Sequence, residues 1–319
     1  MKLIEKARVA IGLCTYKRPQ MVGKCIASLQ ALQCPPDWEV VIVLVDNDPD
    51  SSVTSQSIHS GSADSYPVHY FVEPQRGIPN ARNRACQEAV ALGAQFLLFI
   101  DDDEEAEPGW LNAYHEAMAQ FEAEAYTGPV RYRFPPGYED WLGNKGFSGT
   151  RRGALLKRAS TNNALVDIKR AQDLGFVFEF DTRMTMSGGS DTEFFMRLVQ
   201  AGGRIVYVDN AVVSEEVVTA RLTIRWRLKR QYQSSANRIY IESKLFGAQK
   251  TARRASKEVF RHAIEGLLRL ISSPLLLIAG YSKFKRGWYH GLRHFAKGAG
   301  IVAGLRGRNI QLYLKTDGH

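Results

Sequence analysis

Over its first hundred residues the chain alternates short, nearly continuous apolar runs with amphipathic stretches. Arg8–Cys14 (RVAIGLC) is an apolar run bounded by turn chemistry, and Pro19 then opens a helix with Val22, Cys25, Ile26, Leu29 and Leu32 on one face. Glu39–Val45 (EVVIVLV) is β-branched without alternation, the pattern of a strand buried on both faces, and it ends at Asp46. After a Ser-rich stretch, Ser51–Ser65, the run Val68–Val72 predicts a third strand. A helix follows from Pro79 to Gly93, and Phe96–Ile100 (FLLFI) predicts a fourth buried strand that stops at Asp101-Asp102-Asp103. Pro108 opens another helix. Further on, Ser160–Val166 is expected as a strand, Asp191–Ala201 as a helix, and Ile205–Val208 and Val212–Val213 as short strands. This rhythm predicts an α/β fold, a mostly parallel sheet flanked by helices. Ligands bind such sheets beyond the carboxyl ends of the strands, so Asp46 and Asp101–Asp103 are expected to converge on one crevice.

Charge changes the picture of the second half. Residues 1–216 carry 21 Lys/Arg against 29 Asp/Glu, whereas residues 217–319 carry 21 against 4. The chain is accordingly expected to divide into an α/β domain, 1–218, and a basic helical extension, 219–319. A balance of +17 on the extension points to a polyanionic partner, a membrane surface or a nucleic acid. Leu267–Tyr281 is its most apolar stretch, but the twelve uncharged residues from Leu270 to Tyr281, interrupted by Pro274, make only about 18 Å of helix against a hydrocarbon core of about 30 Å. The run is therefore expected to lie on a membrane rather than cross it, assisted by Lys283, Lys285, Arg286, Trp288, Tyr289, Arg293 and Lys297. No helix-turn-helix, zinc or RNP pattern accompanies the charge, which disfavours a nucleic-acid partner. Cys14, Cys25, Cys34 and Cys86 have no CxxC spacing and are expected as free thiols. No export segment is read at the N-terminus, so the protein is expected at the cytoplasmic face of the cell membrane.

The triple Asp is the sharpest chemical feature. Carboxylates spaced as Asp101 and Asp103 can share one hard cation, Mg²⁺ or Mn²⁺. The alternative is a solvated acidic turn in which Glu104, Glu105 and Glu107 favour the start of the Pro108 helix. Asp46 can cap a turn or accept from a nucleotide, and Arg82 can grip a phosphate or end a solvated helix. Asp191 follows Gly188-Gly189-Ser190, where it can serve as a base or as a helix cap.

Taken in order, CTYKRP, VDNDPDSS, RGIPNARNRA, FIDDDEEAEPGWL and GGSDTEFFMRL resemble glycosyltransferase family 2, which has the GT-A fold. SEEVVTARLTIRWRLKRQYQ is most similar to bacterial exopolysaccharide glucosyltransferases of the succinoglycan type. The resemblance implies inverting transfer from a UDP-sugar to a saccharide acceptor, here a polyprenyl-diphosphate-linked one. It places Thr15, Tyr16, Arg18 and Asp46 at the nucleotide, Arg82 at the diphosphate, and Asp101, Asp102 and Asp103 in the DxD motif, with Asp101 and Asp103 on the metal. Asp191 falls at the catalytic base, and Thr161, Asn162 and Asn163 fall at the sugars. Three departures stand out: Ser190 where the family often has Glu, Glu215 where many relatives place a metal-side His, and Leu222 where processive synthases carry Gln. A silent nucleotide-sugar-binding protein on the same fold is the alternative that keeps the fold but not the chemistry.

Overall fold

A computed structural model describes residues 6–51, 53, 65–138, 149–185 and 188–307. Most of the Ser51–Ser65 stretch and the end of the basic tail lie outside the described residues. The described residues fall into two compact units. The first comprises 6–51, 53, 65–133, 149–185 and 190–216, and the second 134–138, 188–189 and 217–307.

The first unit is built on a sheet of eight strands. β1 (Ala7–Thr15) lies between β2 (Trp38–Asp46) and β4 (Phe96–Asp101), with β3 (Val68–Val72) outside β2, all four parallel. Beyond β4 come β9 (Asn163–Asp167), β6 (Ala125–Thr127), β10 (Ile205–Tyr207) and β8 (Leu155–Leu156). β9 runs antiparallel to both β4 and β6, and β10 runs parallel to β6. The register sets Thr15 opposite Asp46 and Cys14 opposite Asp101. The carboxyl ends of the three central parallel strands therefore finish level, at one edge of the sheet.

Two apolar layers hold this sheet. On one face α1 (Pro19–Gln30) and α3 (Trp110–Gln120) bring Ile26, Leu29, Trp110 and Tyr114 onto Ile11, Leu13, Ile42 and Leu44. On the other, α2 (Ile78–Ala91) and α5 (Ser190–Gln200) pack against Val43, Leu97 and Phe99. α2 meets the sheet through small residues, Ala81, Ala85 and Ala89, whereas α5 brings Phe194 and Phe195. Phe180 stacks on Phe194 with centroids 4.3 Å apart. Each such large side chain, fully buried, contributes about 1.5–3 kcal/mol.

The strands and helices expected up to Ile100 are present within a residue or two of their expected ends, and the helix expected from Pro108 begins at Trp110. The segment after the triple Asp, for which a solvated acidic turn was the alternative, is β5 (Glu104–Ala106). It joins β11 (Val213–Glu216) and β7 (Val130–Arg133) in a second, three-stranded sheet. Two acidic residues stand in this strand, with Glu105 paired to Arg133 and, just beyond it, Glu107 paired to Arg131. β6, β8 and the short α4 (Ile168–Asp173) were likewise not expected.

The second unit is helical. α6 (Ile224–Phe246), α7 (Ala248–Ser272) and α8 (Tyr281–Leu305) pack side by side, with a 3₁₀ segment, Ser273–Ala279, between the last two. α8 approaches α6 at backbone distance: a Cβ on Gly300 would sit 2.1 Å from the Tyr232 carbonyl oxygen, and one on Gly304 2.5 Å from that of Ala236. Arg238 and Arg254 bind Glu242 and Glu258, stitching α6 to α7. α7 and the 3₁₀ segment form one continuous helical stretch of 32 residues, Ala248–Ala279, which by length and composition is sufficient to cross a membrane. That corrects the expectation that this region is too short to span, because the helix carries through Arg269, after which the uncharged run had been taken to begin. Its exposed side is apolar: Leu267, Leu268, Ile271 and Leu275 face outward, and Ile278 is 92% exposed.

Candidate active site

At the end of β4 the three aspartates take different roles. Asp102 turns inward and is buried, where it accepts from Thr15 Oγ1 at 2.7 Å and Arg18 Nη1 at 3.0 Å. Thr15 and Arg18 thus fix the middle residue of the triplet. Arg18 also lies 3.8 Å from Asp103. Asp101 faces Arg82, 3.5 Å from Nη2. Burial pushes the Asp101 carboxyl up to about 6, and Asp103, Asp102 and Asp191 add to the rise against the opposing pull of Arg82. Convergent carboxylates are under-compensated by the arginines beside them. An all-oxygen donor set with surplus negative charge fits a hard divalent cation, and Asp101 and Asp103 are the side chains that could hold it.

Arg82 links the two chemical elements of the site. Its Nη1 lies 3.4 Å from Ser190 Oγ at the start of α5, while its other nitrogen faces Asp101. Its guanidinium rests over the Phe180 ring at 5.8 Å. The Phe180 ring thereby supports a cation that faces both the β4 end and the α5 start. Asp191 occupies the first turn of α5, with Oδ1 accepting from Thr192 N at 2.7 Å.

Two residues near β2 were expected at the nucleotide. The Asp46 carboxylate is fully buried and accepts from Asp48 N, Val53 N and Tyr70 Oη at 3.1–3.2 Å, so it organises the loop beyond β2. The Tyr16 ring lies under the Arg76 guanidinium at 4.8 Å. Asn47, which sequence reasoning passed over, ties that loop to the start of α2. It donates to the carbonyls of Glu73 and Gln75 and accepts from Gly77 N at 2.7 Å.

The trio Thr161-Asn162-Asn163 splits. Asn163, 1% exposed, has its amide committed in full: Oδ1 accepts from Trp110 Nε1 and Tyr114 Oη, and Nδ2 donates to the carbonyls of Pro129 and Ala211. That corrects its expected place beside a sugar, since no capacity is left to receive one. Asn162 instead donates to Glu104 Oε1 at 3.2 Å, and the other Glu104 oxygen accepts from Asp101 N at 3.0 Å. The Thr161 hydroxyl is buried without a hydrogen-bond partner. Glu104 is the residue the sequence hid. It is 1% exposed, sits directly behind Asp101, and stands opposite Glu215 in the β5–β11 ladder. Burial and the Asp101 and Glu215 carboxylates hold Glu104 well above the usual carboxylate range. Glu215, singled out in place of the family's His, is therefore beside the acidic cluster, one residue behind it. The thiols of Cys14 and Cys25 abut this region, and burial pushes both up, Cys14 to about 12, which leaves them inert.

Comparison with known proteins decides the family. Residues 10–172, which hold β1 to β9 and every acidic residue of the β4 end, match glycosyl transferase family 2. The chain belongs to that family. It is 31% identical over 236 residues to the succinoglycan biosynthesis protein ExoM of Rhizobium meliloti, covering 72% of this chain and 74% of ExoM. Among solved structures it is similar to S. aureus TarS 1–349, with a TM-score of 0.52, 14% identity, and coverage of 95% of this chain and 92% of that one. Against the longer TarS chain the TM-score is again 0.52, at 13% identity, and 54% of that chain is spanned. This likeness fixes the fold, the GT-A arrangement of a mostly parallel sheet flanked by helices. Family membership makes the chain a glycosyltransferase.

Proposed function

We propose that this glycosyltransferase is an inverting, metal-dependent enzyme that moves a sugar from a UDP-sugar to a hydroxyl of a polyprenyl-diphosphate-linked saccharide in bacterial surface-polysaccharide synthesis. The observation that carries the reading is the grip of Arg82 on both Asp101 and Ser190, which brings the acidic β4 end and the Asp191 turn to one place. ExoM is named for succinoglycan biosynthesis, and TarS 1–349 has been solved with UDP-GlcNAc; both support the substrate classes.

The chain's own groups suit that reaction. Arg18 and Arg82 flank the carboxylates and offer cationic forks to a diphosphate. Asp191, at the positive end of α5, accepts the proton of the acceptor hydroxyl as its oxygen attacks the anomeric carbon. The bond from that carbon to the diphosphate oxygen breaks on the opposite face, so the configuration inverts. A divalent cation on Asp101 and Asp103 supplies neutralisation of the negative charge that grows on the departing diphosphate. The Arg76–Tyr16 pair forms a flat shelf beside this point that suits a nucleobase.

The second unit suits attachment to the inner face of the cell membrane. The apolar side of α7 and its 3₁₀ extension is exposed, and α8 carries Lys283, Lys285, Arg286 and Arg293. Crossing would put Glu265 and Arg269 into hydrocarbon, and a charged residue near a helix centre costs about 2.5–3.5 kcal/mol. Lying in the interface avoids that cost while the exposed leucines are still buried. The test is release of UDP from a panel of nucleotide sugars, with and without Mn²⁺ or Mg²⁺ and with membrane lipid extract as acceptor. Donor-dependent release that needs both metal and lipid is expected. Binding of a UDP-sugar without turnover under every condition would leave a silent binding protein.

A further inference from the structure

Away from the carboxylate site, three side chains of the second unit converge. His262 and Glu265 lie one turn apart on α7, and His294 reaches them from α8. His294 Nδ1 lies 3.0 Å from His262 Nδ1 and 3.0 Å from Glu265 Oε2, and His262 Nδ1 lies 3.8 Å from the same oxygen. Hydrogen bonding alone serves this triangle poorly. An imidazole Nδ1 carries either a proton or a lone pair. If His294 directs a proton at Glu265, it has no lone pair for His262. If it keeps the lone pair for His262, that pair faces a carboxylate. At best one bent proton is shared between two acceptors.

A metal ion resolves the conflict, because it takes a lone pair from all three atoms. The point equidistant from them lies about 1.9 Å from each, just inside the Zn–N and Zn–O lengths of about 2.0–2.2 Å. Ligand atoms on a zinc tetrahedron stand about 3.3 Å apart, and the three observed edges bracket that value. We infer that His262, Glu265 and His294 form a zinc site that pins α7 to α8. Two imidazoles and one carboxylate are the donor set that borderline Zn²⁺ takes, whereas hard Mg²⁺ and Ca²⁺ prefer oxygen alone.

The surroundings keep the ligands ready. Burial lowers both histidines, with Lys297 and Arg261 acting further on His262, and Lys297 and Arg269 on His294. Glu265 opposes the fall at both rings, and Glu258 does so at His262. Three protein ligands leave a fourth position, on the side where Glu265 is open to solvent, for water.

The experiment uses the tag-free full chain carrying Asp103→Ala, so that the acidic site at the end of β4 makes no contribution. Zn²⁺ is titrated in competition with a chromophoric chelator, and Co²⁺ binding is followed by its visible absorption. One equivalent of Zn²⁺ is expected, with a Co²⁺ spectrum of low coordination number. Glu265→Gln and His294→Ala should each weaken binding at least tenfold. Zn²⁺, but not Mg²⁺, should raise the Tm of the parent and leave that of His294→Ala unchanged. Glu265 is partly exposed, so Glu265→Gln is expected to fold and decides the matter if His294→Ala does not. No stoichiometric Zn²⁺ on the parent, or binding that survives Glu265→Gln, overturns the site.

Discussion

Replacing Asn163 by alanine should cost the protein a large share of its stability while leaving the chemistry of the molecules that remain folded nearly intact. The magnitude follows from what each partner loses. Trp110 and Tyr114 are both 0% exposed, and the Nε1–H and hydroxyl they direct at Asn163 Oδ1 would be left without that acceptor. Each buried donor deprived of its acceptor costs about 1–3 kcal/mol. On the other side the Pro129 carbonyl keeps a bond from Val213 N, so its loss is smaller. The two ring donors alone then give a loss of about 2–6 kcal/mol, against a total stability for a typical domain of about 5–15 kcal/mol. Asn163→Asp should be worse than alanine despite its matching shape. Its second oxygen would face the Pro129 and Ala211 carbonyls, placing acceptor against acceptor in a buried site. Equilibrium urea unfolding followed by tryptophan fluorescence, together with kcat per folded molecule, reads both effects. A loss under about 1 kcal/mol accompanied by a raised acceptor KM would refute the argument and return Asn163 to the sugar.

Asp103→Ala should abolish donor-dependent UDP release, and EDTA should do the same to the unaltered chain; full turnover in EDTA would remove the metal from the mechanism. Asp191→Asn should lower turnover by about 10²–10⁴ with donor affinity retained by calorimetry, and near-normal turnover would leave Asp191 as a helix-start residue only. The full chain should float with anionic vesicles more than with neutral ones. Leu275→Glu with Ile278→Glu should remove the part of that binding that resists 1 M salt, where screening shortens to about 3 Å; flotation indifferent to both lipid charge and these substitutions would detach the second unit from the membrane. The zinc titration above completes the set.

What was legible in the sequence was whatever a single segment could announce by itself. EVVIVLV and FLLFI are long enough and apolar enough to be strands in any context, and Pro19 marked its helix without reference to anything distant. β5, β6 and β8 are three residues or fewer, too short for a strand alternation to repeat over the 4–8 residues that would identify it. β5 is acidic besides, and exists only through its ladder with β11 and the arginines of β7. Tertiary pairing overrode local character there. The same limit explains the misjudged length of the apolar helix. Charged residues ended the run along the sequence, but Glu265 points toward His294 and does not break α7.

The site divides along the same line, and the division bears on how it works. Identity at a strand end or helix start was readable, so Asp101, Asp103 and Asp191 could be singled out from sequence. Which of a group of similar residues turns inward was not, because that depends on partners far along the chain. Asp102 is fixed by Thr15 and Arg18, and Glu104 by Asp101 N and Asn162. Glu104 entered the sequence reading only through the alternative of a solvated acidic turn with Glu105 and Glu107. The fold instead buries it opposite Glu215 and behind Asp101, where burial and those two carboxylates favour its protonated form. By accepting from Asp101 N and from Asn162 it fixes the backbone of the β4 end, a role that no spacing of aspartates reveals. Glu215 in place of a metal-side His extends this: an acid stands where the family has a neutral ligand, one position behind the aspartates. The acidic excess that looked like a departure from the family is therefore concentrated where a departing diphosphate and its cation would have to be balanced.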